Sequence, residues 1–144
     1  MRLVLPTALG MVSALLAASP AFADEADSVI GKWRTPSKNG VVEIAPCGAS
    51  ICGRLIDSDN IRKNPELRDT ENKDESKRGR KLKGLMILSG FERDDGKWTG
   101  GSVYNPEDGG TYKGTITPTG ANSLKLKGCI VWPLCKTQTW KRIR

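Results

Sequence analysis

From Val29 to its end, this 144-residue chain never repeats its apolar residues at helical spacing. Short runs rich in Val, Ile, Thr, Tyr and Trp alternate instead with clusters of Gly, Pro, Asn and Asp, the pattern of sequential hairpins. "GKWRT" is the first run, turned by "PSKNG"; "VVEIA" is the second, turned by "PCGAS"; "ICGRLID" is the third. A polar stretch, 58–83, precedes "GLMILSGFER", turned by "DDG" into "KWTGGSVY". After "NPEDGG" come "TYKGTIT", the turn "PTGAN", "SLKLKGCIV", and, past "WPLCK", the closing run "TQTWKRI".

Eight strands on mostly tight turns predict an all-β, up-and-down antiparallel barrel, because closure removes the exposed edges of an open sheet. A two-sheet sandwich is the competing architecture, but its Greek-key crossovers are usually longer than these turns. Glycines inside strands (Gly53, Gly90, Gly100, Gly101, Gly114 and Gly128) fit the sharp bends of a small barrel. In a closed meander the first strand pairs with the last. Trp33 is therefore expected beside the "WKR" segment, plugging one end, with Arg142 as a structural cap over its ring.

The first residues, "MRLVLPTALGMVSALLAASPAFA", give a charged start, an apolar middle and a small-x-small site at Ala21 and Ala23. This predicts a signal peptide over 1–23 and a single mature domain over 24–144. The apolar run is short for a membrane span and contains Pro6, so the protein is not expected to span a bilayer. Arg2 is the only charged side chain in that leader, which leaves 22 basic and 16 acidic residues, a net +6. A periplasmic or secreted location follows. For a basic exported protein, an anionic envelope component or an acidic protein is a more natural partner than nucleic acid.

Four cysteines in an exported chain read as disulfides. Of three connectivities, Cys47–Cys52 with Cys129–Cys135 is preferred, because each pair brackets a turn. Loops this short contribute about 2 kcal/mol each if the effect is one of chain entropy, which suits pinning register more than holding up a fold. A four-thiolate zinc site is the rival.

The chain contains no histidine. That removes Ser-His-Asp and Cys-His arrangements and the commonest general base near neutral pH. With the thiols oxidised, only a carboxylate pair is left for catalysis. Yet Asp94, Asp95, Glu107 and Asp108 fall in expected turns, and Glu43 points opposite to Val42 and Ile44. "DSDN" at 57–60 fails as a calcium loop, since its fifth, sixth and twelfth positions are Ile61, Arg62 and Arg68. No catalytic residue, metal site or cofactor is expected. The mixed-charge stretch 58–83 reads as a solvated, mobile loop. Its "SKRGRKLK" segment has no interleaved aromatics to stack on nucleic-acid bases.

The residues also carry a resemblance. Gly31-x-Trp33 on the first strand with a basic residue on the last resembles the lipocalin and calycin signature. The ordered set "GKWRT", "VVEIAPCGASICGRLID", "NPELR", "LKGLMILSGF", "GKWTGGSVYNPEDGGTYKGTI", "LKLKGCI" and "TQTWKRI" is similar to the exported bacterial family of domain of unknown function 2147. The resemblance implies a lipocalin-like barrel outside the cytoplasm and brings no catalytic residues. "DTENKDESKRGRK" departs from it, being longer and more charged than is usual there.

Alternation places Val42, Ile44, Trp98, Tyr104, Tyr112, Ile116, Leu124, Leu126, Gln138, Trp140 and Arg142 on one face. Gly100, Gly114 and Gly128 in the same register would leave the middle unfilled. The expected function is binding of a small, largely apolar ligand by Trp98, Tyr104, Tyr112, Ile116, Leu126 and Trp140, with tyrosine hydroxyls at the rim. Two other readings are an interaction or inhibitor module with a solid barrel and, last, a carboxylate-dependent envelope hydrolase.

Overall fold

A computed structural model describes residues 25–144. The expected signal peptide, 1–23, and mature start at Asp24 lie outside the described residues. The strands are β1 (Gly31–Arg34), β2 (Val41–Cys47), β3 (Ser50–Asp57), β4 (Leu85–Ser89), β5 (Glu92–Asp94), β6 (Lys97–Asn105), β7 (Gly110–Gly120), β8 (Ser123–Val131) and β9 (Leu134–Ile143). Each pairs antiparallel with its neighbour in the order β4-β3-β2-β1-β9-β8-β7-β6-β5. A further pairing, Leu88 with Val103 and Ser89 with Ser102, joins β4 to β6 and closes the sheet. The result is an all-β barrel of eight staves, one of them broken.

That break falls in the expected fourth run, 84–93, which splits into β4 and β5, both paired to β6. Phe91, between them, turns inward and is 2% exposed. Its carbonyl accepts a 2.6 Å hydrogen bond from the Ser50 hydroxyl. The ring lies on glycine: a Cβ added at Gly101 would sit 2.4 Å from Phe91. One added at Gly114 would meet Val103 at 2.4 Å and the Phe91 ring at 3.2 Å. The expectation that in-register glycines leave the middle empty is thus corrected for Gly100 and Gly114, while Gly128 does border open space. Gly100 sits where the β6–β7 register shifts, so Gly101 is the glycine opposite Gly114, and the room there is filled by Phe91 and Val103.

The end where β1 starts is sealed. A 3₁₀ helix, Glu25–Val29, buries Ala26 and Val29 completely. Two indoles fasten it from within: Trp33 Nε1 donates to the Val29 carbonyl and Trp98 Nε1 to the Ala26 carbonyl, each at 2.8 Å. The seam beside it pairs Trp33 with Arg142. Arg142 lies over the Trp33 ring at 4.3 Å. Its guanidinium donates to the carbonyls of Ala121 (2.8 Å), Ile30 (2.9 Å) and Ser28. Gly31 explains why Gly precedes Trp by two. Its φ is +135°, and a Cβ there would lie 2.5 Å from Arg142 Nη1.

Both disulfides follow the sequential pairing, Cys47–Cys52 at the sealed end and Cys129–Cys135 toward the other. Among the described residues no helix is long and apolar enough to cross a membrane.

Candidate functional site

At the opposite end of the barrel, the turns 35–40, 106–109 and 132–133 and the segment 58–84 surround a mouth. Behind it is a cavity of about 920 Å³, within the roughly 300–1,000 Å³ typical of small-molecule sites. Its wall is largely apolar: Val42, Leu55, Ile87, Val103, Leu126 and Trp140. Alternation along paired strands produces this surface, since Leu126 faces Gln138 and Leu124 faces Trp140 across β8–β9. Gly128 lines the cavity too, and a Cβ there would meet only Tyr112 Cβ, at an ordinary 3.5 Å.

Four of the six residues singled out from sequence (Tyr104, Tyr112, Leu126 and Trp140) line this cavity. The other two do not. Trp98 and Ile116 are direct partners across β6–β7, at 2% and 0% exposure, and pack at the sealed end. Tyr104 arrives by a different route from the expected one. The irregularity at Gly100 moves it out of step with Trp98, so it pairs with Thr111 while Val103 pairs with Tyr112. Tyr104 therefore stands between the main cavity and a smaller one on the outer side, which it also lines.

The tyrosine hydroxyls are taken by the protein. Tyr112 donates to Asp108 Oδ2 at 2.5 Å, and Asp108 also accepts from the Gly110 N–H at 2.7 Å. Burial disfavours the Asp108 charge, but these hydrogen bonds outweigh it and hold the carboxyl below its ordinary pKa. Tyr104 donates to Asp69 Oδ1 at 2.5 Å. Asp69, 1% exposed, also accepts from Asn72 Nδ2 (2.8 Å) and Arg80 (2.9 Å). Its burial is likewise outweighed by these donors, and its pKa is lowered. Tyr104 moves the other way: desolvation first, then the bond to Asp69, push it up to about 12.

Asp69 thus organises the polar segment that composition suggests is mobile. That segment contains α1 (Asp59–Lys63), capped by Ser58, a bridge between Arg68 and Lys81, and a 3₁₀ turn at Glu75–Lys77. It also packs on the β6–β7 turn so closely that a Cβ at Gly109 would lie 1.9 Å from the Glu71 carbonyl oxygen. Leu67, Arg68, Thr70, Glu71 and Leu82 from this segment form part of the cavity wall.

Two polar groups in the wall are not among the six expected ligand contacts: Gln138, which alternation does place on the inner face, and Lys136, which the expected closing run does not include. Gln138 Oε1 accepts from Trp140 Nε1 at 3.0 Å, which leaves its NH2 as the donor available to a guest. Lys136, paired with Gly128, brings an ammonium to the same wall. Alternation from Gln138 points to Lys136, but "WPLCK" reads as a turn. β9 in fact begins at Leu134, and the connection is only Trp132-Pro133.

The described residues hold no cluster of three or more Cys, Asp or Glu side chains placed for a metal. A family model described as "Uncharacterized protein conserved in bacteria (DUF2147)" matches residues 31–142. Among solved structures, the chain is similar to protein HP1028 from the human pathogen Helicobacter pylori, described as belonging to the lipocalin family. Identity is 24% and the TM-score 0.72, over 81% of this chain and 83% of that one. The likeness is one of fold. No curated protein matches the chain.

Proposed function

The chain belongs to the DUF2147 family, and we propose that it is an exported binding protein that takes a small, largely apolar molecule into its lipocalin-like barrel. One observation carries this reading: the barrel is plugged at one end and opens at the other into about 920 Å³ of mostly apolar space. A solid interaction module would fill that volume with side chains. The apolar body of a guest would lie against Leu126, Val42 and Trp140, with its polar end toward Gln138 and Lys136. Export, to the periplasm or beyond, is supported by the leader-like sequence of 1–23 and by two disulfides with no free cysteine.

We read the protein as a binder, not an enzyme. The chain has no histidine, and the buried carboxylate Asp69 is spent on Tyr104, Asn72 and Arg80. The test is native mass spectrometry of protein purified without denaturation, with tryptophan emission followed across fatty acids and lipids. A bound mass of lipid size, or saturable quenching through Trp140, is expected. A protein that carries nothing and responds to nothing in the panel contradicts the reading.

A further inference from the structure

The β8–β9 hairpin borders the mouth and ends in the most exposed large apolar side chains described: Ile130 (74%), Val131 (60%), Trp132 (74%) and Leu134 (64%). Cys129–Cys135 fastens the hairpin just below this tip. Ile130 and Leu134 also line the cavity, so the tip is continuous with the mouth. Such a cluster, with an indole at its end, has no packing role within the fold.

Its surroundings are basic. The charged residues of β7, β8 and β9 nearest it are lysines, Lys113, Lys127 and Lys136. Lys113 pairs with Cys129, and Lys127 lies two residues before it, so both stand on the outer face just below the tip. The Lys127 ammonium sits 4.8 Å from the Trp132 ring centre. Three carboxylates also line the cavity, Glu71, Glu107 and Asp108, the last two accepting hydrogen bonds from the Ser37 and Tyr112 hydroxyls.

We propose that this hairpin inserts its apolar tip into the interface of an anionic phospholipid bilayer, with Lys113 and Lys127 on the headgroups, and so holds the cavity mouth at the lipid surface. An indole flanked by ammonium groups suits the boundary between headgroup and acyl chain, where amphipathic rings settle and anionic lipid attracts lysine. The proposal does not depend on the cavity holding a guest.

The test is co-sedimentation of the full mature protein with vesicles of phosphatidylglycerol and phosphatidylcholine in equal parts, against phosphatidylcholine alone. Binding to the anionic vesicles is expected, weaker on phosphatidylcholine. Trp33, Trp98 and Trp140 are already 1%, 2% and 3% exposed, so an emission blue shift on docking reports Trp132 and disappears in Trp132→Phe. Ile130→Ser with Trp132→Ser should lower partition at least about tenfold. Lys113→Ala with Lys127→Ala should lower it about fivefold per lysine. Both pairs alter exposed side chains, and circular dichroism verifies that each variant is folded. Two results overturn the proposal: no sedimentation with anionic vesicles, which would leave the tip to a protein partner, or undiminished sedimentation of the serine variant, which would assign binding to bulk charge.

Discussion

Arg142 lies 4.3 Å over the ring of Trp33 and is also its direct partner across the seam between the first and last strands. The same guanidinium closes three backbone carbonyls at the sealed end. Arg142→Ala removes the cation–π contact and leaves those carbonyls without their charged donor. A loss of about 2–4 kcal/mol in urea unfolding is expected. Arg142→Lys should recover only part of it, because one ammonium cannot fork between three acceptors over an indole.

Gly31 and Arg142 are coupled. Gly31→Ala forces a side chain onto φ +135° and into the guanidinium, at a cost of about 1–3 kcal/mol. Part of that is collision, so Gly31→Ala should cost less in an Arg142→Ala background. A double-mutant cycle measures the difference, and strict additivity would show that backbone strain alone is responsible.

Asp69 and Tyr104 give the fold opposite dependences at the two ends of the pH scale. Asp69 has a lowered folded pKa, so its stabilisation is present above the ordinary carboxylate range and is lost as pH falls through the folded value. Tyr104 is raised from 10.0 to about 12, so its stabilisation is full below pH 10 and is lost between pH 10 and about 12. Unfolding midpoints followed against pH should show Tyr104→Phe losing part of the alkaline decline and Asp69→Asn part of the acid decline. Each variant should also be less stable at neutral pH by about 1–3 kcal/mol, since a buried partner is left short.

The wall built by 66–82 depends on Gly109. A Cβ at that position would lie only 1.9 Å from the Glu71 carbonyl oxygen, so Gly109→Ala cannot be absorbed by a flexible side chain and must push the segment away. Trypsin should then cut at Lys73, Lys77, Arg78 or Arg80 in the variant well before it cuts the parent. Equal protection would show that the segment does not rest on this turn.

The strands and both disulfides are legible in the sequence because turn residues punctuate the chain and each cysteine pair brackets a hairpin. The Trp33–Arg142 seam follows from closure alone. The order of 58–83 is not legible, since it rests on Asp69 reaching Tyr104, 35 residues away, and composition alone shows only charge. Simple alternation puts Tyr104 in the wrong register because an irregularity at Gly100 resets the pattern along β6. Trp98 and Ile116 have the right face but the wrong depth, and alternation carries no information on depth. Lys136 is hidden by a hairpin that pairs further out than its Pro suggests.

Whether the barrel interior is open to a guest can be measured most directly at Gly128. A side chain at this position enters the cavity while its Cβ meets only Tyr112 Cβ at 3.5 Å. Gly128→Leu should unfold within about 0.5 kcal/mol of the parent yet bind a fatty acid identified in the panel at least about tenfold more weakly, as a filled site resists overpacking. Titration of tryptophan emission on both proteins decides it: parent saturation lost in the leucine variant is the predicted result, and equal affinity of the two proteins would contradict binding inside the barrel.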